Sequence, residues 1–239
     1  MEWTGEGILL SARPHGESAA LIEVLAEGQG LHAGIVRGGA GRRMAPLLQP
    51  GAQLHLTWRA RLEAHLGQFT IEPIRARAAA ILHDADRLAA LNALCALLRF
   101  SLPERDPQPR LYGASHAFLD RLAAGRDWQA GYLHWERVLL EECGYGLDLG
   151  SCAVSGATEG LAYVSPRTGC AVTAQAAGEW ASKLLPLPPL LADPALPDDR
   201  AQMRDGLATT GFFLARVLAP SLGERPLPEA RARLEARFG

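Results

Sequence analysis

Arginine is the residue with most to offer chemically in this sequence. Arg37, Arg42, Arg43, Arg59, Arg61, Arg75 and Arg77 fall within residues 31–80 against only Glu63 and Glu72, a local excess of +5. Guanidinium forks match the oxygen pairs of phosphates, so this segment is equipped to neutralise a polyanion. Arg42 and Arg43 close the run Arg37-Gly-Gly-Ala-Gly-Arg-Arg43, whose three glycines let the backbone approach a partner closely. The same run could also be a solvated hairpin loop whose charges only aid solubility. Arg59 and Arg61 stand two apart in an alternating stretch and so point to one side of a strand. Arg75 and Arg77 do likewise if their strand continues that far. Trp58 shares a strand with Arg59. It either stacks on bases beside the arginines or, alternating away from them, belongs to the core.

Other chemistries find less to work with. Basic residues number 24, of which only Lys183 is a lysine. It stands in Trp-Ala-Ser-Lys without a preceding glycine loop, which excludes a Walker A phosphate site. Gly28-Gln-Gly-Leu-His-Ala33 matches a dinucleotide fingerprint in letters, but Leu31–Val36 reads as a strand where that motif needs a helix. No Gly-x-Ser-x-Gly or His-Glu-x-x-His occurs, and the seven histidines are scattered. Asp198-Asp199 sits where a helix cap would be. No catalytic constellation emerges, so the sequence is read as that of a non-enzyme. Cys152 and Cys170 would each need a partner three residues on to hold zinc, and Ser155 and Thr173 stand there instead. Neutral hydroxyls are poor zinc ligands, so neither zinc nor any other cofactor is expected. Cys95 and Cys143 read as packing residues.

The elements that carry these residues change period along the chain. Gly7–Arg13, Ala19–Leu25, Leu31–Arg37, Gln53–Arg61 and Gln68–Arg75 are short, apolar or alternating, and separated by Gly, Pro or Ser. Five such strands in so short a span predict closure into a small OB-type barrel, which removes the exposed edges. From residue 81 the period is helical. Helices are expected over His83–Leu102, Arg110–Ala124 and Trp128–Cys143, packed together, and later over Ala174–Leu185, Asp198–Leu218 and Glu229–Phe238. An irregular insert with one or two hairpins interrupts them at about 144–173. The fold class is therefore α+β: a barrel over 1–80 and a helical domain over 81–239.

The whole chain of 239 residues has a formal charge of −2, which would argue against nucleic acid if charge were evenly spread. It is not: the basic barrel segment is joined to an acidic remainder. No leader-like segment and no apolar run of membrane-spanning length occurs, so a cytoplasmic, membrane-independent protein is expected.

Four stretches together resemble one family: Glu6-Gly-Ile-Leu-Leu-Ser-Ala-Arg-Pro-His-Gly-Glu-Ser18, Gly34-Ile-Val-Arg-Gly-Gly-Ala-Gly-Arg-Arg43, Leu48-Gln-Pro-Gly51, and Glu142-Cys-Gly-Tyr-Gly-Leu-Asp-Leu149 leading into Cys152. The chain is similar over essentially its whole length to the bacterial recombination mediators of the RecO family. That resemblance implies DNA repair by the RecF pathway: binding single- and double-stranded DNA, annealing complementary strands, association with RecR, and loading of RecA onto strands coated by single-stranded-DNA-binding protein (SSB). It implies a cytoplasmic, nucleoid-associated protein. It also implies that the helical domain grips the acidic SSB tail, with Arg110, Arg121, Arg126 and Arg137 the basic residues at hand. Some members carry a four-cysteine zinc ribbon, from which this chain departs at Ser155 and Thr173. The alternatives are an OB-fold protein-interaction scaffold, whose arginines are merely solvated, and an RNA-binding protein without annealing activity.

Overall fold

A computed structural model describes residues 1–62, 65–223 and 225–239. Glu63, counted above in the barrel's charge, lies outside the described residues. Five strands, β1 (Glu2–His15), β2 (Ala19–Ala26), β3 (Gly30–Val36), β4 (Gln53–Arg59) and β5 (Gln68–Arg75), close into a barrel in the order β1-β2-β3-β5-β4. This is the expected OB-type topology, with β3 and β5 parallel and every other pair antiparallel.

β1 starts five residues before the apolar run suggests because it has two partners. Its first half, Glu2 to Ile8, pairs with β4, and its second half, Gly7 to His15, pairs with β2 across an irregularity between Leu9 and Ser11. Gly7 stands where the two pairings overlap. A Cβ there would lie 2.6 Å from Leu56 Cδ1 and 3.2 Å from the Leu25 carbonyl oxygen, so any larger residue would force the buried Leu56 and the strand beside it to shift. Alternation does the rest: Leu54, Leu56 and Trp58 of β4 face Leu9, Ile22, Val24, Phe69 and Ile71 in the barrel core, while His55, Thr57 and Arg59 face outward.

The short helix α1 (Ala78–Ile81) leads into α2 (Ala85–Ser101) and α3 (Pro109–Ala124). The Asp84 carboxylate caps α2 by accepting from the backbone N–H groups of Asp86 and Arg87, both at 3.0 Å. α3 ends at Gly125, whose φ of 76° supplies the left-handed stop. By their contacts these helices form one compact unit with the barrel, Met1–Gly125, and the remainder, Arg126–Gly239, forms a second. α2 and α3 thus fall in a different unit from the next helix, whereas the sequence suggested that the three pack together. Gln53 shows the attachment: its side-chain N–H groups donate to Tyr112 Oη of α3 at 2.8 Å and to Glu6 of β1 at 3.0 Å.

The second unit holds α4 (Trp128–Glu142), β6 (Leu161–Val164), β7 (Ala171–Thr173), α5 (Ala174–Ala177), β8 (Leu185–Pro186), α6 (Pro189–Ala192), α7 (Arg200–Phe213), α8 (Ala219–Ser221) and α9 (Glu229–Ala236). β6 and β7 form the hairpin expected in the insert, and β8 adds a third strand in the order β7-β6-β8. The continuous helix expected over Ala174–Leu185 is instead α5 and a 3-10 turn, broken at Gly178 with φ 49°. Asp199 is the cap read from sequence, accepting from Gln202 N at 2.9 Å at the start of α7, whereas Asp198 instead accepts from Gln129 N at 2.8 Å at the start of the remote α4. None of the helices among the described residues is long and apolar enough to cross a membrane.

Candidate nucleic-acid interface

Sheet register decides where the seven arginines go. Arg59 of β4 pairs with Gln68 at the start of β5, while Gln53 pairs with Arg75 at its end. Arg59 and Arg61 therefore belong to one end of the barrel and Arg75 and Arg77 to the other. The β3–β5 pairing sets Val36 beside Phe69, so Arg37 follows β3 along the same early part of β5 as Arg59.

Arg77 is a correction. β5 stops at Arg75, the chain turns inward, and the Arg77 side chain is wholly buried. Its Nε donates to Asp120 Oδ1 at 2.7 Å and its Nη1 to the Gly51 carbonyl at 3.1 Å. It anchors α3 to the barrel and cannot meet phosphate. Arg75 shares that anchor, its Nη1 lying 2.7 Å from Asp120 Oδ2, although more than half of its side chain is exposed. Burial alone would raise the Asp120 carboxyl's proton affinity, but the hydrogen bonds from Arg77 and Arg75 outweigh it and hold the group below the usual carboxylate range. Trp58 is the second correction: at 2% exposure its ring belongs to the core, with Nε1 donating to the Leu66 carbonyl at 3.2 Å.

The other expected residues remain on the surface. Arg59 is paired with Glu2 at 2.7 Å, a solvent-exposed contact of little energetic weight that a phosphate can displace. Arg37, Arg42, Arg43 and Arg61 are exposed and make no ion pair with a described residue. The Ala40 N–H donates to the Ser18 carbonyl at 3.0 Å, which ties the glycine-rich loop to the β1–β2 turn. A recess beside that tie is lined by Arg13, Pro14, Gly39 and Ala40, which sets Arg13 against the glycines of the loop. Sequence reading missed Arg13 because its neighbourhood depends on two loops meeting. It also missed Arg105, whose guanidinium lies 5.8 Å from the Trp58 ring centroid.

Of the four arginines considered for the SSB tail, Arg110 and Arg121 lie on α3 in the first unit, and Arg126 and Arg137 in the second. Arg137 is half-buried and committed locally, its Nη1 donating to the Leu191 carbonyl at 2.9 Å at the end of α6.

Of the four positions at which a zinc ribbon would place its ligands, Cys152 and Thr173 are in contact. Cys152 Sγ lies 3.7 Å from Thr173 Oγ1 and accepts from Thr173 N at 3.4 Å. That separation approximates the edge of about 3.8 Å of a tetrahedron built on Zn–S bonds of about 2.3 Å. Hydrogen bonds from the Ser155 side chain first, then from the Thr173 N–H, bring the Cys152 thiol down to about 6. Two hydroxyls nevertheless occupy ligand positions, and among the described residues no three His, Cys, Asp or Glu side chains converge. The residues present do not fit zinc. Cys95 is core, its thiol pushed up to about 12 by burial.

Comparison with known proteins agrees with this architecture. Family models described as Recombination protein O N terminal and Recombination protein O C terminal match residues 1–77 and 82–226. A protein of Ruegeria sp. (strain TM1040) named DNA repair protein RecO is 58% identical over 233 residues, covering 98% of this chain and 96% of that protein. Similarly named proteins of Roseobacter denitrificans and Dinoroseobacter shibae are 55% and 54% identical over 238 and 234 residues. They cover 100% and 98% of this chain, and 98% and 96% of their own lengths.

Proposed function

The chain belongs to the RecO family of DNA repair and recombination proteins, and from that premise we propose that it acts as a recombination mediator of the RecF-pathway type. In this reading it binds single- and double-stranded DNA, anneals complementary strands and, with RecR, helps load RecA onto single strands after engaging the SSB tail. It works by binding and carries out no bond-making step of its own. It needs no zinc, because the hairpin that would hold metal is closed by the hydrogen bonds between Cys152 and Thr173. It operates in the cytoplasm, at the nucleoid.

One observation carries the DNA reading. Arg37, Arg42, Arg43 and Arg61 are exposed on the barrel and its loops without an acidic partner among the described residues. Annealing requires that two polyanions be neutralised together without reading bases, and unpaired guanidinium groups on a rigid barrel meet that requirement.

The test is a salt series. Replacing Arg42 and Arg43 together by Ala weakens binding to mixed-sequence DNA at every sequence. If each contacts one phosphate, the slope of log affinity against log salt falls by about 1.4 on single strands and about 1.8 on duplex. An unchanged slope refutes the loop assignment, and a strong preference for RNA of the same sequence refutes the DNA reading.

A further inference from the structure

The barrel mouth carrying Met1 holds a pocket of about 450 Å³ lined by Met1, Glu2, Trp3, His32, Trp58 and Arg105, together with Gln29 and Pro107. Such a volume falls within the roughly 300–1,000 Å³ typical of small-ligand sites. Three aromatic rings shape it. Trp3 lies nearly parallel to Trp58, with centroids 6.3 Å apart and planes at 18°. His32 stands edge-on to both, 5.2 Å from Trp3 and 5.8 Å from Trp58.

Two polar atoms here are unspent. Trp3 Nε1 and His32 Nδ1 are buried and find no hydrogen-bond partner among the described residues. His32 is 5% exposed. A buried donor left unpaired costs about 1–3 kcal/mol, so native proteins seldom leave two side by side without an occupant to meet them. Indole N–H donates only, which fixes part of the occupant's chemistry: it presents an acceptor. Burial, and after it the nearby Arg105 charge, lowers the proton affinity of His32 against backbone hydrogen bonds at Gly30 and Gln29 that raise it, so its ring is neutral at neutral pH and only its Nδ1 is left to meet an occupant.

Charge fixes the rest. An adjoining recess shares Met1 and Glu2 with the pocket and is lined by Arg59 and Arg61. Arg105 is itself held in place, its N–H donating to the Leu31 carbonyl at 2.9 Å and its Nη2 to the His65 carbonyl at 3.0 Å. A flat, acceptor-bearing ring attached to an anion fits both recesses at once.

We propose that this pocket seats one unstacked base of a single strand, its acceptor on Trp3 Nε1–H and His32, with the adjoining phosphate drawn to Arg59 and Arg61. The assignment rests on the reading that the protein binds single-stranded DNA, and it adds a base-stacking site to a surface otherwise described only by phosphate contacts. Stacking on aromatic side chains is sequence-tolerant, as annealing of arbitrary strands requires.

The test compares an oligothymidylate with an abasic oligodeoxynucleotide of the same length at one salt concentration. The full chain binds the base-bearing strand at least fivefold more tightly. Trp3→Phe, which keeps a ring and removes the Nε1 donor, narrows that ratio at least threefold and leaves affinity for the abasic strand unchanged. A strand carrying 5-iodouracil, irradiated with the unaltered protein, cross-links to Trp3 or His32; this arm holds even where a variant folds poorly. Equal affinity for the two strands, or cross-links confined to residues outside the pocket, overturns the assignment while leaving the phosphate surface intact. Failure to bind either strand at low salt removes the DNA reading itself and the pocket assignment with it.

Discussion

The ion pair buried in the second unit makes a sharp test of how that unit is held together. Glu136 is 0% exposed and Arg231 1%, and they come from α4 and α9, 95 residues apart. The Glu136 carboxylate accepts from Arg231 Nε and Nη2, from Tyr132 Oη at 2.8 Å and from the Thr210 hydroxyl, while Arg231 Nη2 also donates to the Leu207 carbonyl at 2.8 Å. Arg231→Met removes the only cation bonded to this carboxylate among the described residues and leaves it with two neutral donors. Breaking one side of such a pair costs about 3–5 kcal/mol, a large share of the 5–15 kcal/mol typical of a folded protein. At about 2–4 °C per kcal/mol, the thermal midpoint falls by roughly 6–20 °C. Urea titrations measure this deficit, and Glu136→Gln combined with Arg231→Met recovers part of the loss as a positive coupling. A cost under about 1 kcal/mol for Arg231→Met would refute the argument.

Four further outcomes follow from the geometry. Gly30 has φ 74°, and a Cβ there would lie 2.1 Å from the Asp106 carbonyl oxygen; Gly30→Ala therefore costs at least about 2 kcal/mol. Gly113→Ala, on exposed α3 with open space around it, gains about 0.5–1 kcal/mol, and thermal melts of the two variants should shift in opposite directions. His32 resists protonation in the fold, so below about 6.5 the unfolded chain takes up a proton that the native chain does not, and stability rises with pH through that region; His32→Gln flattens the slope in melts recorded between pH 5 and 7. A chelator leaves the melting temperature of the unaltered chain unchanged, whereas Ser155→Cys with Thr173→Cys produces thiolate-to-cobalt absorption on titration with Co²⁺; a chelator-induced fall in the unaltered chain would contradict the conclusion that its residues do not fit zinc.

The barrel was legible because its code is local. Leu54, Leu56 and Trp58 alternate with Arg59 in one heptapeptide, and the same alternation sends Trp58 inward. The caps at Asp84 and Asp199 and the stop at Gly125 are written in two or three adjacent residues. What could not be read are the features whose partner is remote. Arg77 looks like a surface strand residue until Asp120, 43 positions on, supplies its counter-charge. Arg231 belongs to a short and very polar helix, and its burial makes sense only with Glu136, 95 positions earlier, as its buried counter-charge. The Trp3–His32–Trp58 group arises from register between strands that the sequence does not align, and Arg105 reaches it from the α2–α3 linker. Over Ala174–Leu185 the apolar spacing was helical, but Gly178 interrupts it.

The double pairing of β1 also orders events during synthesis. Its second half can zip to β2 as soon as residue 26 has left the ribosome, but its first half waits for β4, since Glu2 finds its partner only at Arg59. For that interval the β1–β2–β3 meander is an open sheet whose apolar face, Leu9, Ile22 and Val24 among it, has no lid. Closure through β5 joins Val36 to Phe69, a non-local contact whose loop-closure entropy must be met before it stabilises the sheet. An amino-terminal extension that slows the docking of Glu2 to Arg59 would lengthen that window, and loss of nascent chain to aggregation should rise with it.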